Sequence, residues 1–191
     1  FFHIYPWGRC PDGLEKKTRK LYNELVELAT HLLLWIEKEV PSKVSNNFSM
    51  PLNKMIEQSP RNLLRIINYP PISQNTSDAV RAAPHEDINL ITILCSATES
   101  GLQAQDTNGI WHDIKCNPGN IAVNTGDMLQ MCSNGYFPST THQVINPEGT
   151  KANVARMSMP LFLHPNDDVV LSNKHTAGTY LLERLQEIGL K

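Results

Sequence analysis

The chain has 191 residues, of which 40% are apolar and 19% are charged, and its 17 Lys and Arg residues against 19 Asp and Glu residues give a net charge of −2. This balance excludes a nucleic-acid-binding protein that works through bulk positive charge. At this length, folding buries roughly 70% of the surface that the unfolded chain exposes, which is enough for a hydrophobic core without disulfide bonds.

The four cysteines form no C-x-x-C pair, which excludes a zinc ribbon and a thioredoxin-like motif. They are Cys10, Cys95, Cys116 and Cys132. We therefore expect reduced, mostly buried thiols and a cytoplasmic protein. No apolar run approaches the roughly 18 residues that a membrane-spanning helix needs. The sequence starts at Phe1 without a methionine, and we expect it to be part of a longer polypeptide.

Apolar residues recur at steps of three and four after Asp12, which predicts a long amphipathic helix over 12–40. The apolar stripe that packs on the core consists of Leu21, Leu25, Leu28, Leu32, Trp35 and Ile36. Asp12 and Glu15 have the spacing of a capping box, and Pro41 ends the helix. A shorter helix with Ser49 as its N-cap follows, and a C-terminal helix begins near Thr176. The inward-facing residues of the last helix are Tyr180, Leu181, Leu185 and Ile188.

Short runs of apolar and β-branched residues follow Pro60 and are separated by Gly, Pro, Asn and Asp, which predicts an all-β sandwich or barrel. We place strands near 62–69, 88–95, 101–105, 110–115, 120–123, 140–146 and 153–163. Asn108 and Gly109 supply a hairpin turn because they tolerate positive φ, and residues 146–149 supply another. The chain thus divides into a helical flank over 1–59, a β core over 60–172 and a C-terminal helix over 173–191.

His85 and Asp87 stand two residues apart at the start of the strand predicted over 88–95. In an extended chain such residues share a face, so an imidazole and a carboxylate can point at one ion. This pair alone is a weak signal and needs a third ligand. His142 provides it, because it lies in a second predicted strand that a β sandwich can bring beside the first. Two imidazoles and one carboxylate leave the opposite face of an ion open, which suits ferrous iron that binds substrate and dioxygen together.

Arg156 and Ser158 are polar residues on the same face of an otherwise apolar strand. A buried guanidinium needs an anionic partner, because an unpaired buried charge is unfavourable. A fork of N–H donors beside a hydroxyl fits a carboxylate. The alternative is an arginine at the rim of the sheet that pairs with one of the acidic residues of the chain.

Five sequence blocks, in order, resemble the iron and 2-oxoglutarate-dependent oxygenase superfamily, in particular the branch of isopenicillin N synthase and the plant flavonoid and gibberellin oxygenases. The blocks are Ala83-Pro84-His85-Glu86-Asp87, Gly126-Asp127-Met128-Leu129-Gln130, Ser133-Asn134-Gly135-Tyr136, Ser139-Thr140-Thr141-His142 and Arg156-Met157-Ser158-Met159-Pro160-Leu161-Phe162. The resemblance covers residues 60–172 closely. It implies a mainly β fold with flanking helices, a double-stranded β-helix or jelly roll.

The resemblance also assigns roles to single residues. It implies that Fe(II) is bound by His85, Asp87 and His142. It implies that Arg156 and Ser158 bind the distal carboxylate of 2-oxoglutarate, helped by the hydroxyl of Tyr69. By similarity to pocket aromatics, Phe162 and Phe137 line the substrate pocket, with core packing as the alternative.

The chain departs from the plant pattern beside the cosubstrate. Plant members carry Asn-Tyr-Tyr-Pro where this chain has Ile67-Asn68-Tyr69-Pro70, so Ile67 replaces an asparagine that often touches the cosubstrate. Asn68 cannot take its place, because a shift of one residue turns a side chain to the other face of the strand. Family members also carry a preceding segment that covers sheet edge, so we expect these residues alone to leave an open edge or an apolar patch.

The activity implied by the resemblance is that of a non-haem Fe(II) and 2-oxoglutarate-dependent dioxygenase. It would oxidise a small organic substrate by hydroxylation, desaturation or ring closure, with release of succinate and CO2. The expected partners are a small-molecule substrate and dioxygen, with no nucleic acid and no membrane. One alternative is an Fe(II) oxidase of the isopenicillin N synthase type, in which Arg156 and Ser158 bind a substrate carboxylate and 2-oxoglutarate is not used. Another is a non-catalytic jelly-roll binding module, which would have no reason to keep all five residues.

Overall fold

The computed structural model describes residues 1–72, 80–115, 117–146 and 153–190. Within these ranges the strands are β1 (Phe2–Ile4), β2 (Leu63–Tyr69), β3 (Ala82–His85), β4 (Ile91–Cys95), β5 (Leu102–Gln105), β6 (Trp111–Asp113), β7 (Ile121–Thr125), β8 (His142–Val144), β9 (Arg156–Ser158) and β10 (Pro160–Leu163). The helices are α1 (Glu15–Glu39), α2 (Ser42–Ser45), α3 (Leu52–Met55), α4 (Asp127–Cys132) and α5 (Ala177–Glu187). The predicted mainly β fold with flanking helices is confirmed.

The strands form two sheets in which every pairing is antiparallel. The large sheet has the order β1-β2-β10-β4-β7, and β9 also pairs with β2. The small sheet has the order β3-β8-β5-β6. A cavity between them is lined by residues of both sheets. The site described below therefore lies inside a sandwich.

Alternation along the strands of the large sheet separates the hydrophobic core from the cavity. Leu161 and Leu163 of β10 are fully buried in the core, whereas the intervening Phe162 lines the cavity. On β4, Ile91 and Ile93 enter the core and Thr92 lines the cavity. Because successive side chains of a strand point to opposite faces, one sheet supplies both the core and the site. The core is completed by the helices, chiefly α1 and α3.

The buried stripe of α1 differs from the predicted one. It consists of Thr18, Tyr22, Leu25, Ala29 and Leu33. Of the predicted stripe, Leu25 is buried, four residues flank it as partly buried contacts, and Trp35 is 62% exposed. The contact line thus runs through Leu25, Ala29 and Leu33, and the predicted leucines at 21, 28 and 32 lie beside it. The predicted capping box was also wrong, because the N-cap is Leu14 and no side chain caps the helix.

Of the predictions for the other helices, some are confirmed and some were wrong. Ser49 does not cap a helix, because its hydroxyl donates to the carbonyl of Val170 and α3 follows Pro51. Helix α5 begins near Thr176, as predicted, and Thr176 is its N-cap and forms a capping box with Thr179. On α5, Tyr180 and Leu181 pack against the core, whereas Ile188 beyond the helix end is 55% exposed, so its predicted inward orientation was wrong.

The strand predictions need four corrections. The strand predicted over 88–95 begins only at Ile91, and His85 belongs to a separate strand, β3. The strand predicted over 153–163 is divided into β9 and β10, since β9 continues on β2 while β10 bridges β2 and β4. The sequence prediction also missed both β1 and the helix α4.

Other features follow the sequence. The predicted turn at Asn108-Gly109 joins β5 to β6, with Gly109 at φ +80°. The second predicted turn falls largely on residues 147–149, outside the described ranges. Cys10, Cys95 and Cys132 are free thiols, but only Cys132 is buried, which raises its pKa to about 12; Cys10 and Cys95 are partly buried, and Cys116 lies outside the described residues. None of the helices in the described part of the chain combines the length and the hydropathy that a membrane-spanning segment needs.

Candidate metal centre and cosubstrate cavity

His85, Asp87 and His142 converge at one point. Neighbouring strands position the two histidines, which are cross-strand partners in β3 and β8. Asp87 Oδ1 lies 3.9 Å from His85 Nε2 and 3.7 Å from His142 Nε2, and the three ligand atoms lie within 4.8 Å of one another. The side chain of Asp87 is 6% exposed and that of His85 is 46% exposed. The cluster therefore has one deeply buried and one accessible side.

Hydrogen bonds orient both imidazoles toward this point. His85 Nδ1 lies 2.7 Å from the carbonyl of Ala83, and His142 Nδ1 lies 2.8 Å from the carbonyl of Thr140. A carbonyl oxygen can only accept, so we assign the proton of each ring to Nδ1. Each Nε2 then presents a lone pair toward Asp87. Metal-ligating histidines characteristically make this kind of outer hydrogen bond.

Asp87 is held by two donors on its other oxygen. Thr92 Oγ1 donates to Oδ2 at 2.6 Å, and Asn124 Nδ2 donates to the same oxygen at 2.9 Å. Thr92 and Asn124 are cross-strand partners of β4 and β7, so the pairing of these strands brings them together. Asn89 donates to Thr92 in turn, which leaves the Thr92 hydroxyl proton for the carboxylate. Oδ1 consequently remains turned toward the imidazoles.

Backbone contacts with α4 support the segment that carries Asp87. The N–H groups of Gly126, Asp127 and Met128 donate to the carbonyls of Leu90, Asp87 and Asn89, respectively. Gly126 is required by the close approach of the two segments. A Cβ atom at this position would lie 2.2 Å from the Asn89 carbonyl oxygen and 2.8 Å from that of Asp87. The start of α4 therefore fixes the backbone of the carboxylate ligand.

The cavity between the sheets has a volume of about 210 Å³ and contains the predicted carboxylate-binding residues. Arg156 and Ser158 are 1% and 5% exposed, and both line it together with Tyr69 and the three clustered residues. Tyr69 is the cross-strand partner of Arg156, and the guanidinium carbon lies 5.5 Å from the centre of the Tyr69 ring. Arg156 Nε donates to the carbonyl of Glu99 at 3.0 Å. One end of the cavity thus presents a buried cation, a hydroxyl and a phenol ring.

At the departure from the plant pattern, the side chains of Ile67 and Asn68 face the two sides of the strand that the sequence predicts. Ile67 lines the cavity opposite Ser158, its cross-strand partner. Asn68 is exposed and is not among the cavity-lining residues. An apolar side chain therefore occupies the wall position, and the neighbouring amide cannot substitute for it.

The two predicted pocket aromatics have different environments. Phe162 lines the cavity, and the guanidinium carbon of Arg65 lies 4.9 Å from its ring centre. Phe137 does not line the cavity. It packs against the hydrophobic core, and its ring centre lies 4.9 Å from that of Tyr136 in an edge-to-face arrangement. The core-packing alternative therefore describes Phe137, because the segment after α4 turns its side chain toward the core.

Sequence reasoning missed three polar residues of the cavity. Thr92 and Asn124 hold Asp87, and Arg65 lines the wall formed by β2. Thr92 and Arg65 are polar side chains within apolar runs of their strands, a signal similar to the one that identified Arg156 and Ser158. Burial lowers the pKa of the Arg65 guanidinium, and the nearby Asp87 partly offsets this effect.

Comparison with known proteins identifies the family. The sequence profile of the 2OG-Fe(II) oxygenase superfamily matches residues 60–165, which is more than half of the chain. The chain belongs to this superfamily. Its jelly-roll fold, predicted from the resemblance, is thereby confirmed.

Named relatives agree with this membership. The chain is 30% identical over 182 residues to 2-oxoglutarate-dependent dioxygenase 11 of Oryza sativa subsp. japonica, a match that covers 90% of this chain and 47% of the rice protein. It is 27% identical over 128 residues to isopenicillin N synthase of Streptantibioticus cattleyicolor, with 62% and 38% covered. A crystal structure of a Shewanella oneidensis protein assigned as an oxygenase is 51% identical, with a TM-score of 0.92, over 100% of this chain and 71% of that chain. The chain thus spans less than half the length of these two curated relatives.

The residues present fit the metal that defines the superfamily. Two imidazole nitrogens and one carboxylate oxygen face a common point, and hydrogen bonds on the far side of each ligand fix its orientation. This donor set, with open positions opposite, is typical of non-haem Fe(II) oxygenases. The buried cation of Arg156 in the same cavity fits the carboxylate of 2-oxoglutarate.

Proposed function

We propose that this chain carries the active site of a non-haem Fe(II) and 2-oxoglutarate-dependent dioxygenase that oxidises a small organic substrate and releases succinate and CO2. The observation that carries the proposal is the sharing of one cavity by the His85, Asp87 and His142 cluster and the buried Arg156. A metal site and an anion site in one enclosure are what a reaction between a chelated keto acid and dioxygen requires.

The iron would be held by Nε2 of His85, Oδ1 of Asp87 and Nε2 of His142. When bound, Fe(II) supplies the redox chemistry of dioxygen activation, with the decarboxylation of 2-oxoglutarate as the source of electrons. The chain contributes the orientation of the ligands. Thr92 and Asn124 keep the Asp87 carboxylate from rotating, because both donate to the oxygen that does not face the imidazoles. Preorganisation of this kind strengthens metal binding.

Arg156 and Ser158 would bind the distal carboxylate of 2-oxoglutarate, and Tyr69 would assist. Arg156 is almost fully buried in the wall of the cavity, so its charge acts in a poorly solvated environment where a carboxylate gains more from it than in water. The apolar side chains of Ile67, Leu94 and Leu102 line the cavity and exclude water from the remaining wall.

The direct test is succinate formation from 2-oxoglutarate by the protein with Fe(II) and ascorbate, followed by NMR under air. We expect slow succinate release without an added substrate, and its loss in Asp87→Ala. Glu86→Ala is the matched control, because Glu86 is exposed beside Asp87 and lies outside the cluster. Succinate release that persists in Asp87→Ala would contradict the proposal.

The isopenicillin N synthase type of activity is the second candidate, supported by the match to that enzyme and by Ile67 at the cavity wall. It uses the same metal ligands and assigns Arg156 and Ser158 to a substrate carboxylate. A protein that binds Fe(II) but neither binds 2-oxoglutarate nor releases succinate would favour this candidate. A protein that binds neither would favour a binding module.

A further inference from the structure

Arg65 is a second arginine in the cavity, apart from the carboxylate-binding pair. It lies on β2 at alternate positions with Ile67 and Tyr69, and all three line the cavity. Tyr69 pairs with Arg156, whereas Arg65 is four residues earlier, about 13 Å along an extended strand. The two arginines therefore mark opposite ends of the wall that β2 forms.

The surroundings of Arg65 are aromatic. Its guanidinium carbon lies 4.9 Å from the ring centre of Phe162 and 5.5 Å from that of Phe1. Its Nε donates to Nε2 of His3 at 3.0 Å, across the β1–β2 pair. In the part of the chain that the structure describes, Arg65 forms no salt bridge, and its two terminal nitrogens make no hydrogen bond. Four N–H donors of a partly buried cation are thus available to a ligand.

A structural role for Arg65 accounts for only part of this arrangement. The bond to His3 ties β1 to β2 and uses one of the five guanidinium N–H groups. Burial lowers the pKa of Arg65, and Asp87 offsets only part of this effect, so the charge remains partly desolvated even with two phenyl rings beside it. A neutral side chain of similar length could make the same tether without this cost. The positive charge therefore requires a separate explanation.

Charge balance in the cavity favours one additional negative charge. Among the described residues that line it, Arg65 and Arg156 are cations and Asp87 is the one carboxylate, apart from the histidines. Asp87 is a candidate metal ligand, so its charge would be shared with the metal, and no other described carboxylate of the cavity wall is available to Arg65. A substrate with a single negative charge would neutralise it.

We propose that Arg65 determines substrate specificity by binding the anionic group of a small organic acid whose apolar body lies against Phe162. This inference rests on the proposed function, since it takes the cavity to be the substrate pocket. Phe162, over whose ring Arg65 lies, is the cross-strand partner of Thr92, the donor to Asp87, which places the anion site at the metal-ligand end of the cavity. A substrate held there would present its apolar part to the metal site, while Arg156 holds the cosubstrate at the far end.

The test compares matched acids and amides, which differ in charge and little in shape. Phenylacetate and phenylacetamide, and hexanoate and hexanamide, are titrated by calorimetry into the protein loaded with Mn(II), a redox-stable substitute for Fe(II), and with 2-oxoglutarate. We expect at least one acid to bind about tenfold or more tightly than its amide, because hydrogen bonds to a charged group are strong. Arg65→Gln should abolish this preference, and Arg65→Lys should keep part of it.

Arg61→Gln is the control variant, because it removes the same charge from a surface salt bridge with Asp167, outside the cavity. It should retain the preference of the wild-type protein. Amides that bind as tightly as acids, a preference that survives Arg65→Gln, or no binding by any acid would overturn the inference. Acids that compete with 2-oxoglutarate would also overturn it, because they would then occupy the Arg156 site.

The two proposals can fail separately in the same experiment. If 2-oxoglutarate does not bind to the wild-type protein, the proposed dioxygenase activity is contradicted. In that case the acids and amides are titrated without 2-oxoglutarate. The preference for acids and its loss in Arg65→Gln then still test the anion site. The wild-type comparison requires no variant, so a poorly folded Arg65→Gln protein would not remove the test.

Discussion

Replacing Thr92 with valine removes one of the two donors that hold the Asp87 carboxylate. The change conserves shape and deletes a hydroxyl that lies 2.6 Å from Oδ2, leaving Asn124 as the remaining donor at 2.9 Å. A hydrogen bond to a charged group contributes about 1.5–3 kcal/mol. Part of this loss will reduce the stability of the metal-free fold, because the hydrogen bond is present there too. The part that orients Oδ1 will reduce metal affinity.

We expect Thr92→Val to weaken metal binding by about 10-fold to 100-fold, the range typical for hydrogen-bond partners of metal ligands. The assay is a competition titration of Mn(II) between the protein and a chelator, with urea unfolding of the metal-free protein measured in parallel. Thr30→Val is the control, because its hydroxyl donates to the Val26 carbonyl within α1. Equal Mn(II) affinities in the two variants would refute the view that Thr92 positions Asp87.

Three further predictions test other parts of the site. Arg156→Lys should weaken 2-oxoglutarate binding by about 1–3 kcal/mol, because lysine lacks the two-pronged fork, and calorimetry would measure the loss; unchanged affinity would favour the isopenicillin N synthase alternative. Gly126→Ala should destabilise the fold by about 1–3 kcal/mol in urea unfolding and weaken Mn(II) binding, since the new Cβ would overlap the carbonyls of Asn89 and Asp87. Burial lowers the pKa of His164 from 6.5 to about 4, so the fold should lose stability as the pH falls through this interval, where the unfolded chain binds the proton more readily. His164→Asn should reduce the difference in unfolding free energy between pH 7 and pH 5, and an unchanged difference would contradict this cause.

The strand pattern predicted much of the fold because alternation separates core from cavity. Arg156 and Ser158 on β9 are buried, and the intervening Met157 is exposed, as a period of two requires. The break between β3 and β4 could not be predicted in the same way. Residues 86–90 are held by backbone hydrogen bonds from α4, about 40 residues later, and such contacts leave no periodic signal in the sequence.

The candidate site likewise contains residues that the sequence could identify and residues that it could not. Residue type and spacing made His85, Asp87 and His142 candidates for a metal site, and the resemblance to the oxygenase family then implied that they bind Fe(II). The donors to Asp87 depend on the register that pairs Thr92 with Asn124, 32 positions apart, and a single sequence does not contain this register. Phe137 was assigned to the pocket but packs against the core, because nothing in its local sequence pattern distinguishes a core aromatic from a pocket aromatic.

The most direct test of the account is a crystal structure of the protein with Mn(II) and 2-oxoglutarate, with the metal located by anomalous scattering. We expect one anomalous peak between Nε2 of His85, Oδ1 of Asp87 and Nε2 of His142, and a 2-oxoglutarate molecule whose distal carboxylate contacts Arg156. A peak at another position, or a cosubstrate bound away from Arg156, would contradict the proposed site.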